Sequence, residues 1–320
     1  MNVLLTSAGR RVSLLRLFQL AAEASGGRVF VSDIDPGAPT LQFAPILRLP
    51  PVTADGYGPA LLAAASEHRI DLVVPTIDPE LPVLALLADD LAAVGTRAVI
   101  STPDFVATCS DKWLFHAAFA AEGVRTPRSW LPAELPDDLP RRLFVKPRRG
   151  SASKGISALT VEDARAGNLP PNAEDPIIQE FVGGTELTID AFLSRDGRPL
   201  HAVPRERRYT IGGESVQGVT VAYEPLRGWL ESVLATCGRL GARGPITLQA
   251  FLTPDGPVLF EVNPRLGGGF PLADAAGGHY PAWLVDEASG VDLPSRLGDY
   301  QVGLYMTRYH SELFVTELPW

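Results

Sequence analysis

The chain predicts an α/β unit followed by an α+β unit, and three observations lead there. The first hundred residues alternate short apolar strands with Ala- and Leu-rich helical stretches, the rhythm of a parallel sheet with helices on both faces. The last third strings longer strands together, two of them joined by the turn Thr253-Pro254-Asp255-Gly256, which marks a hairpin. At 320 residues, the chain exceeds one small core, so two or three domains are expected. The expected divisions are a parallel-sheet domain over 1–104, a small lobe over 105–182 and a large lobe over 183–320.

The elements follow in order. Val3-Leu4-Leu5-Thr6 reads as a buried strand, Ser7-Ala8-Gly9 as a turn, and Leu14, Leu15, Phe18 and Ala22 as the apolar stripe of a helix. Val29-Phe30-Val31 is a second strand, with Asp33 and Asp35 at its end, and Leu72-Val73-Val74 and Ala98-Val99-Ile100 follow. Ligands of such sheets bind at the carboxyl ends of strands. Those ends carry Ser7 to Arg11, Asp33 to Asp35 and Thr76-Ile77-Asp78-Pro79-Glu80. A helix over Asp111 to Glu122 leads to the strands Leu143–Lys146 and Ile177–Glu180, with a Gly/Ser loop between them. Strands over Thr188–Leu193, Ile246–Leu252 and Val258–Val262 and a helix over Trp229–Leu240 complete the chain. Pro132 to Pro140 and Gly167 to Pro176 read as surface loops.

Composition narrows the function classes. A formal net charge of −9 lacks the basic footprint of a general nucleic-acid binder. Two cysteines, Cys109 and Cys237, make a disulfide framework or a Cys-based zinc site a poor fit. No apolar run is long enough to span a membrane and no leader pattern opens the chain, so a cytoplasmic setting is expected. Of the 28 basic Lys and Arg residues only three are lysine: Lys112, Lys146 and Lys154. A lysine is a compact charge on a flexible stem, where arginine is a planar fork. The cluster either marks a phosphate site or is chance in an arginine-rich chain.

The strongest constellation is Gln249 on one hairpin strand and Glu261-Val262-Asn263-Pro264-Arg265 ending the other. Glu261 and Asn263 are two apart on a strand and so share a face, which Gln249 can meet from the neighbouring strand. Three such oxygen donors suit Mg²⁺, a hard ion completed by phosphate and water. Arg265 would stand beside the metal, placed to neutralise a transferring phosphoryl group. Lys146 ends an apolar strand and precedes a Gly/Ser loop with Arg148, Ser151 and Ser153, which could turn N–H groups toward an anion or could be a flexible hairpin. The loop lacks the Walker A order. Ile177 to Glu186 could offer a backbone edge to adenine and a carboxylate to ribose, or could be plain strand and turn.

In this order, Asp111-Lys112, Phe144-Val145-Lys146-Pro147, the Gly/Ser loop, Gln179-Glu180-Phe181-Val182 with Glu186, Gln249, and Glu261 to Arg265 resemble the ATP-grasp superfamily. The likeness is closest to single-unit ligases similar to carbamoyl-phosphate synthase large chains. It runs from about Asp104 onward, and the N-terminal unit looks like the Rossmann-like pre-ATP-grasp domain. The resemblance implies ATP clamped between two lobes, with Mg²⁺ (or Mn²⁺ as an alternative) as the metal. Lys112, Lys146, Arg148, Ser151 and Ser153 would face the phosphates. Glu180, Phe181 and Val182 would form the adenine hinge, and Glu186 would hold the ribose. Gln249, Glu261 and Asn263 would hold the metal, and Arg265 and Asn263 would serve catalysis. The implied reaction is carboxylate attack on ATP to give an acyl phosphate that an amine or related nucleophile captures. An amino acid or other small carboxylic acid is the expected substrate, and a homo-oligomer is compatible. Gln249 stands where many relatives place an acid, and Lys154 where a loop residue is often apolar. The alternative is a non-catalytic ATP-binding regulator or scaffold of the same fold.

The acceptor side is less defined. Arg205, Arg207 and Arg208 could bind a carboxylate or line a solvated strand edge, with Gly212 and Gly213 in the following loop. Gly268, within Gly267-Gly268-Gly269, would allow close backbone approach to a ligand. Asp274 and His279 could contact an amine or be structural. Ser7, Gly9, Arg10 and Arg11 sit at a helix start suited to an anion. Asp78 and Glu80 could be capping residues or amine ligands.

Overall fold

In the computed structural model, residues 1–150, 155–170, 175–211 and 214–320 are described. Ser151, Ser153, Lys154, Gly212 and Gly213 lie outside the described residues.

The first sheet is parallel, in the order β2–β1–β3–β4, with β1 Val3–Thr6, β2 Val29–Val31, β3 Leu72–Pro75 and β4 Arg97–Ala98. Helix α1 (Val12–Ala24) covers one face through Leu14, Leu15 and Phe18, and α2 (Tyr57–Glu67), α3 (Leu81–Leu86) and α4 (Ala88–Ala93) build the other side. The turn after β1 puts Ser7 at φ 48° and Gly9 at φ 52°, a conformation most side chains avoid. Buried Glu80 props up that turn. Thr6 Oγ1, Ser7 Oγ and Tyr57 Oη donate to its carboxylate at 2.8, 2.5 and 3.3 Å. Glu80 is therefore structural, and it caps no helix through its side chain.

Helices α5 (Pro103–Ser110) and α6 (Lys112–Ala121) lead to a four-stranded antiparallel sheet in the order β5–β8–β6–β7. Its strands are β5 Ser129–Trp130, β6 Leu143–Pro147, β7 Ser157–Leu159 and β8 Pro176–Glu180, with α7 (Val161–Ala166) before β8. Alternation on β6 sends Leu143 and Val145 into a small core with Leu159, Ala164 and Ile178, which leaves Phe144 and Lys146 on the opposite face. Phe105, Phe115 and Phe119 of α5 and α6 pack instead into the core of the next sheet.

That sheet has six strands in the order β13–β12–β9–β10–β11–β14. They are β9 Thr185–Leu193, β10 Pro199–Ile211, β11 Glu214–Thr220, β12 Gly244–Thr253, β13 Gly256–Asn263 and β14 Tyr305–Thr307. Helix α8 (Arg227–Leu240) packs on one side, while α9 (Phe270–Ala275) and α10 (Tyr280–Ala288) lie against α1. Phe192, Leu200, Phe270 and Tyr280 join Phe18 and Val74 in one core, so the first and third units share a continuous apolar interior. Strand β10 runs through Pro204, which pairs with Ile189 of β9. Pro204 C=O accepts from Val221 N–H at 3.0 Å, so the missing proline N–H falls at the end of the β11 ladder, where it removes no bond from the middle of the sheet.

Candidate active site

The predicted hairpin forms, and its register decides which side chains meet. Gln249 pairs directly with Glu261 on one side and Thr188 on the other, and Thr188 pairs with Arg205. Directly paired residues share a face, so Glu261, Gln249, Thr188 and Arg205 form one row across four strands. Asn263, two residues beyond Glu261, donates to its Oε1 at 3.0 Å. Gln249 Nε2 donates to Glu186 Oε1 at 3.2 Å, and Arg207 also donates to that oxygen. Thus Gln249, Glu261, Asn263 and Glu186 do converge. Two atoms of this row, Thr188 Oγ1 and Arg205 Nη1, are buried without a hydrogen-bond partner among the described residues. Buried polar atoms left in that state are costly, so the row has bonding capacity for a ligand.

The opposite wall is set by Asp111, the N-cap of α6. Its Oδ1 accepts from Trp113 N–H at 2.9 Å and Leu114 N–H at 3.2 Å, while Arg148 grips both carboxylate oxygens at 3.1 and 2.7 Å. Burial opposes ionisation, but the Arg148 bond and the two helix N–H groups hold the Asp111 carboxyl below its usual range. Arg148, expected at the phosphates, is thereby tied to Asp111. Lys112 follows the cap and points its ammonium at the carbonyls of Arg148 and Gly150, at 3.3 and 3.0 Å, so it clasps the base of the Gly/Ser loop. Burial lowers the Lys112 pKa, against the attraction of Glu261 and Asp111. Burial and the neighbouring Lys112 charge bring Lys146 down to about 8, again against the pull of Glu261. Lys112 of α6, Lys146 of the small sheet and the Glu261 carboxylate of the large one therefore lie within one electrostatic neighbourhood.

At the hinge, the Glu180 carboxylate turns away to bind Arg128 N–H and Nε, both at 3.0 Å. Phe181 stacks under the Arg142 guanidinium, 3.6 Å from the ring centre, and leans on Phe144. The peptide groups of Val182 make no hydrogen bond to another described residue.

Arg265 reaches across to the first domain. Its Nε and Nη2 each donate at 2.9 Å to the two oxygens of Asp78, a bidentate pair at the carboxyl end of β3. Arg11 of the β1–α1 turn donates to Leu266 C=O at 2.9 Å. Sequence reasoning offered Asp78 only as a cap or an amine ligand and did not foresee this pair. Its signal was an acid at a strand end, where such sheets place ligand groups. Below the turn lie Asp190 and Arg205, both buried and joined at 2.9 Å. A Cβ on Gly269 would come within 2.4–2.6 Å of the Arg205 guanidinium, and one on Gly267 within 2.8 Å of Thr247 Oγ1. These two glycines are required by packing on that pair. Gly268 alone faces open space, and its carbonyl accepts from Arg308. Asp274 and His279 face each other at 3.7 Å.

Residues 109–269 match the ATP-grasp domain model, and residues 3–100 match the PylC-like N-terminal domain. The chain belongs to the ATP-grasp family. Phosphoribosylamine–glycine ligase of Mycobacterium leprae is 28% identical over 243 residues, 66% of this ATP-grasp chain and 56% of that protein. Formate-dependent phosphoribosylglycinamide formyltransferase of a Synechococcus species is 25% identical over 264 residues, covering 77% and 65%. The chain thus spans under two thirds of the length of these two relatives. Among solved structures, the biotin carboxylase domain of Hydrogenobacter thermophilus 2-oxoglutarate carboxylase, in complex with MgADP, superposes with a TM-score of 0.76 at 14% identity, covering 95% of this chain and 73% of that one. An L-amino acid ligase from Bacillus licheniformis gives 0.66 at 19% identity, covering 90% and 74%. These likenesses establish the ATP-grasp fold. Among the described residues no helix is long and apolar enough to cross a membrane.

Proposed function

We propose that this ATP-grasp protein is an ATP- and Mg²⁺-dependent ligase that joins a small carboxylic acid, such as an amino acid, to an amine or related nucleophile through an acyl phosphate. The observation that carries the reading is that Lys112 and Lys146 both feel the carboxylate of Glu261, a residue that pairs with Gln249 and accepts from Asn263, with the unsatisfied Thr188 and Arg205 atoms in the same row. Among the described residues no group of three His, Cys, Asp or Glu side chains forms a self-sufficient metal cage. One carboxylate with two amide oxygens is instead the donor set of an Mg²⁺ that relies on nucleotide phosphates and water for its remaining ligands. When bound, such an ion would neutralise charge on the transferring phosphoryl group.

The protein's own groups supply the rest. Lys146 and Lys112 hold the phosphates, the Phe181–Val182 edge receives the adenine, and Glu186 faces the ribose. Arg265 neutralises the oxygens at the reacting end, and its bond to Asp78 fixes its fork at the mouth of the parallel sheet. Phosphoryl transfer needs positioning and charge more than a side-chain nucleophile. The acceptor enters from the carboxyl ends of β1 and β3. The test is phosphate release from ATP against a panel of amino acids and amines. Acid- and amine-dependent release is the expected result, and ATP binding without turnover on any pair would overturn the ligase reading.

A further inference from the structure

A second recess lies at the other end of α5. It has a volume of about 490 Å³, within the range of small-ligand sites, and opens where the β4–α5 loop meets the β9–β10 turn and the start of β12. Ala85, Ala88 and Ala92 form one wall, and their short side chains leave the space. Residues 95–98 and 100–103 form much of the rest, and three arginines from three separate chain segments reach it: Arg97, Arg195 and Arg243.

Their charge is under-compensated. Arg97 pairs with Glu287 at 2.6 Å through Nη2, yet its Nη1 is buried with no acceptor among the described residues. Arg243 spends Nη1 on the carbonyls of Gly238 and Ala242, at 3.0 and 2.6 Å, and meets no carboxylate among the described residues. Arg195 has no carboxylate partner there either; Glu287 Oε1 accepts only its backbone N–H, at 2.9 Å. Burial and the Arg195 charge both lower the Arg97 pKa, although Glu287 opposes them. Like charges held together beside an orphaned donor are unfavourable until an anion arrives. The positive end of the α5 dipole adds to the same field.

We propose that this recess is a binding site for a small multiply charged anion, a phosphoryl group or a polycarboxylate, separate from the nucleotide cleft. The separation is geometric. Helix α5 begins at the recess with Pro103 and ends at Ser110, about 12 Å away along its axis and directly before Asp111 and Lys112. An anion there would secure the N-terminal end of the helix whose other end leads directly into the Asp111 cap and Lys112.

The test is calorimetric titration of inorganic phosphate, with citrate as a second arm, into the full chain carrying Lys146→Ala to weaken anion binding in the cleft. That protein should bind one of the two anions, and adding Arg195→Glu should weaken the binding at least tenfold. Arg195 is exposed, so its replacement leaves the fold intact, as circular dichroism would check. The control is Arg198→Glu, an equal charge change three residues away at a side chain already paired with Asp196 and Asp292. Tighter binding of phosphate or of citrate keeps the site and names its ligand. Absence of binding, binding unaffected by Arg195→Glu, or an equal loss in Arg198→Glu would overturn the proposal.

Discussion

The two walls of the cleft are built to different standards. Among the described residues, the sheet carrying Glu261 is backed by a cluster of 21 buried apolar residues, whereas the sheet carrying Lys146 has a core of five. Charges differ in the same way. On the large sheet Arg205 meets Asp190, Arg207 meets Glu186 and Arg265 meets Asp78. On the small one Lys146 is half-buried beside a second ammonium, with no ion pair of its own among the described residues. One wall is a finished interior whose charges are already paired. The other carries an unfavourable charge that an incoming phosphate would relieve, and it has little core with which to resist movement.

The largest expected effect comes from the finished wall. Glu261→Gln removes the one carboxylate of the hairpin's proposed metal set and should reduce turnover by at least about a hundredfold while leaving thermal stability near that of the parent. Steady-state phosphate release and calorimetry measure the two; near-parent turnover would refute the metal assignment. On the other wall Lys146→Met should act in opposite directions on function and stability. ATP affinity should fall by about tenfold or more. Because the folded-state pKa is depressed to about 8 from 10.5, the folded protein holds fewer protons than the unfolded chain between these values. The charge penalty is thus fully present below pH 8, and stability recovers as the pH rises toward 10.5. The substitution should raise stability at pH 7 by about 1–2 kcal/mol, with the gain vanishing near pH 10. Equal or lower stability at pH 7 would remove the asymmetry between the walls.

Asp78→Asn probes the link to the parallel sheet. It keeps the shape but weakens a bidentate charged pair, so kcat should fall by about tenfold while the KM for ATP holds. A change in the KM for ATP with unchanged kcat would mean that Arg265 serves binding instead of the reacting end.

Much of this architecture was legible because period-2 patterns and strand-end residues carry it. Glu261 and Asn263 share a face by spacing alone, and Gln249 meets them because Asp255-Gly256 closes the hairpin. Lys146 could be placed at a strand end because Val145 beside it is apolar. What could not be read was pairing between distant segments. The sequence does not show that Arg148 grips both oxygens of Asp111, nor that Arg205 lies against Asp190 beneath Gly269. Nor does a sequence show that Arg265 spans 187 positions to Asp78. Local spacing determines which face a side chain takes, while its partner depends on how whole sheets come together.

The smallest effect expected is at the hinge, and it sharpens the contrast most finely. Arg142 lies over the Phe181 ring at 3.6 Å, and its carbonyl accepts from Phe181 N–H at 3.0 Å. The backbone bond survives substitution, so Arg142→Ala deletes only the stacking cation, worth about 0.5–1 kcal/mol at an exposed site. If Phe181 helps to frame the adenine edge, the KM for ATP should rise about twofold to threefold, because the ring loses the plane that holds it. Hydrogen exchange should quicken in β6 and β8 and stay unchanged in β12 and β13, since the five-residue core transmits a local loss that the larger cluster absorbs. Exchange that quickens equally in both sheets would show that the walls open as one cooperative unit.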